Sequence, residues 1–166
     1  MKNKLTIAIF CIASLIIGLL LGRMDFKKSK KTVVSDVKTY EIGKIDSVLD
    51  AQVQGWNKGS LNEYMKGYWK DDSLRFITRK GINKGWNNVF SSYKKHFGTK
   101  EKMGQLDFEI YEKRFLDTTY QLANYVGMYR VNKLQDGKPL RDSGVFSLLF
   151  RKFDNEGWKI ITDHTF

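Results

Sequence analysis

The sequence predicts an α+β domain in which helices come first and then cover one face of a long antiparallel meander. Three observations carry this reading. Apolar side chains between Ile42 and Phe97 recur at spacings of three and four, whereas from Gln105 onward they alternate. Two strand-like runs, Val145–Phe153 and Trp158–Phe166, close the chain around the turn residues Asp154-Asn-Glu-Gly157. On regular strands one face of that pair groups Phe146, Leu148 and Phe150 with Trp158, Ile160, Thr162, His164 and Phe166. Such a face has to be buried, so the earlier helices are its cover. The opposite face carries Ser147, Arg151, Lys159 and Asp163, with apolar Val145, Leu149 and Ile161 among them.

Residues 1–22 contain an uncharged apolar run, 5–22, behind Lys2 and Lys4. At about 1.5 Å per residue a helix of that length reaches roughly 27 Å, close to a bilayer's hydrocarbon thickness. A cleaved signal peptide and a retained anchor are the two readings. Signal h-regions are shorter, about 7–15 residues, and end in a small-x-small site. Here the run ends Leu19-Leu20-Leu21-Gly22-Arg23, which favours a single apolar anchor helix. Residues 23–40 are polar and basic and read as a linker near the membrane surface. The lysines after Arg23 argue for a cytoplasmic domain. The short basic start argues for export, and the periplasmic or extracellular side is the expectation.

The domain proper spans 41–166. Ile42, Ile45, Leu49, Val53 and Trp56 form one stripe of a first helix, closed by Gly55-Trp-Asn-Lys-Gly59. Ser60-Leu-Asn-Glu63 matches a capping box, with Leu61, Tyr64, Met65, Tyr68 and Trp69 as the stripe of a short second helix. Ser73–Thr78 reads as a short strand and Gly81–Gly85 as a turn-rich link. Trp86, Val89, Phe90, Tyr93 and Phe97 make a further helix capped by Gly98. Leu106, Phe108 and Ile110 then alternate in a strand. The next strand, about Tyr120 to Leu134, carries Ala123, Tyr125, Gly127, Tyr129 and Val131 on one side, and Asp136-Gly137 turns into the closing pair.

Composition excludes several classes. The one cysteine, Cys11, lies in the apolar run, so the domain has no disulfide, thiol nucleophile or cysteine-based zinc site. Ala8-Ile9-Phe10 before it is a poor lipidation signal. The net charge of +11 divides into +6 over residues 1–40 and +5 over 41–166. It is spread without the clustering that a nucleic-acid surface needs. No phosphate loop and no His-Glu-x-x-His is present, so neither a metal nor a cofactor is expected.

Several stretches in this order resemble the nuclear transport factor 2-like superfamily, specifically its SnoaL-like bacterial branch of small domains. They are Leu49–Gly59, Tyr64–Trp69, Gly85-Trp86 with Tyr93, Met103–Leu106, and Gly144–Lys152 with Trp158–Thr165. The resemblance covers about residues 41–166. It implies a cone-shaped, strongly curved sheet wrapped against helices, open at one end, with a cavity inside. It also implies dimers that pack through the sheet. Here Leu122, Val126 and Met128 join Val145, Leu149 and Ile161 on the face away from the helices. Function does not follow from this fold, which hosts isomerases, cyclases, dehydratases and association domains.

The candidate ligand-binding set is aromatic: Trp56, Tyr64, Tyr68, Trp69, Trp86, Tyr93, Tyr125, Tyr129 and Trp158. It suits either a cavity with a few hydroxyl handles for an organic ligand or an ordinary core whose tyrosines reach the rim. His164 is the one histidine on the apolar face and is a candidate general base or ligand handle. Its alternative role is a hydrogen-bonded residue at the core edge. Glu112 joins the cavity if its strand stays regular, or is solvated beside Arg114. Three functions compete. One is a tethered or exported domain that binds a small molecule. The second is a lyase- or isomerase-type enzyme using His164. The third is a homo-oligomeric association module. The first testable expectation concerns the boundary. A chain beginning near Lys31 should be soluble and unfold cooperatively in calorimetry, and aggregation of that chain would refute the separation of anchor from domain.

Overall fold

The structure, a computed structural model, describes residues 35–135 and 137–166. The apolar run 5–22, most of the linker and Asp136 of the expected turn lie outside the described residues. Glu41–Phe166 is one compact unit. Helix is present from residue 35, so residues 35–40 of the expected linker are helical.

Helix α1 covers residues 35–57. Its buried stripe is Glu41, Ile45, Leu49, Gln52 and Trp56, so two polar side chains share the face read as purely apolar. Gly55 lets the next helix approach, since a Cβ there would lie 2.8 Å from the Tyr64 nitrogen. Gly59 turns the chain at φ 81° into α2, Leu61–Met65. Only half of the capping box forms. Ser60 Oγ accepts from the Glu63 amide at 3.3 Å, while the Glu63 carboxylate pairs with Lys66 at 2.6 Å.

The stretch read as a turn-rich link is instead a strand. β1, Arg75–Thr78, and β2, Gly81–Lys84, form a hairpin across the two-residue turn Arg79-Lys80. Helix α3, Trp86–Phe97, has the expected bounds, and α4, Lys100–Met103, follows it. The meander comprises β3, Gln105–Phe115; β4, Leu122–Gln135; β5, Lys138–Phe153; and β6, Gly157–Thr165. The six strands are ordered β2-β1-β6-β5-β4-β3 in one curved, unclosed sheet. It is not wholly antiparallel as expected, because β1 runs parallel to β6. β1 comes before the meander and lies beside its last strand, so no hairpin joins the two and the pairing need not be antiparallel.

Two bulges decide which side chains enter the core. In β3 the register passes from Ile110↔Gly127 to Glu112↔Val126, leaving Tyr111 unpaired. In β6 it passes from Phe150↔Ile160 to Leu149↔Thr162, leaving Ile161 unpaired. One extra residue inverts the facing of everything beyond it. Asp163 and Thr165 therefore pair with the inward residues Leu148 and Phe146, while His164 pairs with Ser147 on the outer face. Elsewhere Ala123, Tyr125, Gly127 and Val131 point inward as the alternation predicts and are buried.

Inside, Ile45, Met65, Leu74, Val89, Tyr125, Phe150 and Ile160 are fully covered. Glu41, 5% exposed, ties α1 to the closing hairpin. It accepts from Trp158 Nε1 at 2.8 Å and from Lys152 Nζ at 2.5 Å. The curvature needs a glycine where an aromatic ring crosses β4. A Cβ at Gly127 would meet Phe146 Cζ at 2.8 Å and the Glu109 carbonyl at 2.5 Å. Gly127→Ala should therefore cost about 1–3 kcal/mol through overpacking. Urea denaturation reads this directly, and an unchanged midpoint would show that the sheet relaxes there without cost.

Candidate functional site

Between the helices and the inner face of the sheet lies a cavity of about 750 Å³. That volume falls within the roughly 300–1,000 Å³ typical of small-molecule sites. Trp56 on α1, Tyr64 on α2, Tyr68 beyond the end of α2 and Tyr93 on α3 form one wall, and Phe108, Tyr129 and Phe146 form the other. Trp56 is fixed as a wall by its indole N–H, which donates to the Met103 carbonyl at 2.8 Å, and by ring contacts to Tyr64 and Phe97.

The polar end is built around Asp163, only 4% exposed. Tyr68 donates to Asp163 Oδ2 at 2.7 Å and Thr165 donates to Oδ1. Tyr64 lies 3.2 Å from the Tyr68 hydroxyl and 3.4 Å from that of Tyr93. With Asp163 ionised, the single proton of Tyr68 is committed to the carboxylate. Tyr64 then donates to Tyr68, and Tyr93 donates to Tyr64. The relay ends in an acceptor, the Tyr93 oxygen. Gln52, also buried, donates to the Tyr64 carbonyl at 3.1 Å and lies against Gly67, where a Cβ would reach it at 2.6 Å.

Burial pushes the Asp163 carboxyl up from 3.8 to about 6, against the opposing pull of its Thr165 and Tyr68 hydrogen bonds and of His164. Burial, followed by the Asp163 charge, raises Tyr64 to about 12. Tyr68 and Tyr93 are also held well above the usual phenol range, by burial first. The mouth is different in character: Arg79, Lys80, Lys133 and His96 border it together with Asp142.

Of the residues singled out by sequence, Trp56, Tyr64, Tyr68, Tyr93 and Tyr129 meet at this cavity. The others do not line it. Trp69 stacks on Phe153, and Trp86 stacks on Phe90 while donating to the Met65 carbonyl. Tyr125 packs on Phe150, and Trp158 is engaged by Glu41. Glu112 is exposed beside Arg114, 4.0 Å away, because the β3 bulge turns it outward. His164 sits on the outer face against Phe166, ring centroids 4.5 Å apart, because the β6 bulge turns it outward. The side chains that sequence reasoning missed are Asp163, Thr165 and Gln52. The consecutive apolar pair Ile160-Ile161, which breaks strict alternation, was the available sign of the bulge. For Gln52 the sign was its place in the 45, 49, 52, 56 spacing.

A solved NTF2-like protein of unknown function from Shewanella oneidensis shares 35% identity and a TM-score of 0.68, across 75% of this chain and 97% of that one. The chain belongs to the NTF2-like family. The same fold recurs in an NTF2-like superfamily protein from Salmonella enterica at 14% identity and TM-score 0.62, over 78% and 92% of the two chains. It recurs again in a ketosteroid isomerase-like protein from Erwinia carotovora at 15% and 0.61, over 75% and 94%. No family model matches the sequence, and no match was found among curated proteins. Among the described residues of this NTF2-like domain no acidic, histidine or cysteine cluster is arranged to hold a metal. No described helix is long and apolar enough to cross a membrane.

The Asp163 environment gives a signed pH dependence. Its folded-state value lies above the unfolded 3.8, so the folded chain holds the proton more tightly between about pH 4 and 6. This contribution is fully present below pH 4 and is lost as the pH rises through 6. Asp163→Asn should remove that loss and stabilise the domain at pH 8 by a few kcal/mol relative to the parent. Urea titrations of both proteins from pH 4 to pH 8 measure the difference, and a constant offset between them would contradict the assignment.

Proposed function

We propose that this NTF2-like domain binds a small, mostly apolar organic molecule in its cavity. The observation that carries the reading is a buried carboxylate with no lysine or arginine ion pair among the described residues, set at the end of an aromatic cavity of about 750 Å³. A structural core has no use for an unpaired buried charge, which costs stability. A ligand that hydrogen-bonds the Asp163–Tyr68 end gives it one. The apolar run 5–22 supports reading the domain as tethered to or exported across a membrane, and the half-buried Val126, Val145 and Leu149 on the outer face support a homodimer.

A second reading, an isomerase-type enzyme, is favoured by the same carboxylate rather than by His164. A base whose value lies near 6 is suited to taking a proton from carbon beside a ligand carbonyl. The C–H proton would pass to Asp163, and the bonding pair would move to the carbonyl oxygen as an enolate. A tyrosine hydroxyl would donate to that oxygen.

Two measurements separate these readings. The neutral fluorophore N-phenyl-1-naphthylamine should bind the full chain at one site per protomer. Ser92→Trp, which places a large ring in the lining of the cavity, should abolish that binding. Absence of saturable binding would refute the ligand-binding reading. For catalysis, deuterium uptake beside the carbonyl of 2-tetralone in heavy water, followed by NMR, should rise through about pH 6 and vanish in Asp163→Asn. No protein-dependent uptake leaves binding alone as the function.

A further inference from the structure

We infer that the cavity takes an amphiphilic anion, an aromatic or aliphatic body carrying one carboxylate or sulfonate, oriented with its charge at the mouth. The inference rests on the ligand-binding reading and adds a charge and a direction to it. The cavity is polarised along its depth. At the closed end stands Asp163, whose hydrogen bonds come from Tyr68 and Thr165. An anionic group placed there would face a carboxylate across a water-poor space, where like charges repel strongly. The deep end therefore accepts neutral donors such as a hydroxyl or an amide and rejects an anion.

The mouth has the opposite sign. The turn of the β1–β2 hairpin places Arg79 and Lys80 side by side, and the backbone holds them there: Lys80 N–H donates to Thr78 Oγ1 at 3.1 Å. Lys133 comes from β4 with its ammonium 5.9 Å from the Phe97 ring, and His96 comes from α3. Arg79, Lys80 and Lys133 form no ion pair among the described residues. Among the described residues Asp142 is the one carboxylate side chain bordering the same rim. Three permanent cations against one carboxylate side chain leave the rim net positive, while the rings of Trp56, Phe97, Phe108 and Phe146 line the cavity. Positive rim, aromatic walls and acidic floor match a ligand with an anionic head and an apolar body.

The test compares two probes with one body. 8-Anilinonaphthalene-1-sulfonate carries a sulfonate, and N-phenyl-1-naphthylamine is the same skeleton without it. The full chain should bind the sulfonate on the order of tenfold more tightly in low salt, with the ratio falling toward one as salt screens the rim. Arg79→Ala, Lys80→Ala and Lys133→Ala together should bring the ratio to about one, and Ser92→Trp should remove both probes. Equal affinities in the parent, or a ratio unaffected by both salt and the triple substitution, would overturn the anionic inference while leaving a ligand cavity in place. Failure of both probes, or their persistence in Ser92→Trp, would overturn the cavity reading and this inference with it.

Discussion

A single unpaired residue, Ile161, sets the chemistry of this domain. Up to Ile160 the last strand delivers apolar side chains to the core. Beyond Ile161 the parity inverts, and Asp163 enters where regular alternation would have brought His164. The parallel neighbour β1 agrees with this choice, because it sets Phe76, a cavity residue, beside Asp163 and sets Ile77 beside His164. Without the bulge the cavity would end in an imidazole, and a carboxylate would lie on the outer face. Bulges concentrate next to functional sites because they re-aim one side chain without disturbing the strands around it.

The buried carboxylate then orders the hydroxyls near it. Each tyrosine has one proton to give, so a terminal acceptor fixes the direction of the whole series from Tyr93 through Tyr64 to Tyr68. Protonation of Asp163 supplies a donor at that terminus, and the series can run the other way. Tyr93 then has its own proton free. The polar groups thus act as a unit whose outward character, accepting or donating, follows one proton about 95 residues distant in sequence from Tyr68.

Much of the fold was legible because long periodic segments declare themselves. The α3 stripe from Trp86 to Phe97 and the alternation of Ala123, Tyr125 and Val131 needed only spacing to be read. The hairpin of β1 and β2 was not legible. Its strands have four residues each, and β1 is held in the sheet by β6, far later in the chain (Arg75 pairs with Thr162), so local pattern carries little of the reason they form strands. The site was half legible for a related reason. Trp56, Tyr64 and Tyr93 on the helices do line the cavity, since one helix face needs no register, whereas Trp86 on α3 packs on Phe90 instead. His164 was misplaced because it lies beyond a bulge, and the β3 bulge likewise decides for Glu112 between the cavity and its solvated alternative beside Arg114; a single inserted residue is invisible to any argument from strict alternation. Gln52 shows the reverse case, a polar side chain on an apolar stripe that the backbone of α2 satisfies.

The place of β6 in the sheet has a consequence for how the domain is assembled. It lies between β5, its neighbour in sequence, and β1, which is translated long before it. As the chain emerges, the β1–β2 hairpin has no sheet to join, and the aromatic side chains of α1, α2 and α3 have only a partial surface to cover. Neither the cavity floor nor the bridge between the two parts of the sheet exists until the last strand arrives. Contacts of such long sequence separation slow folding and leave apolar surface exposed meanwhile. The strand that supplies the carboxylate is also the keystone of the sheet, so a chain that has not completed its fold has no cavity floor.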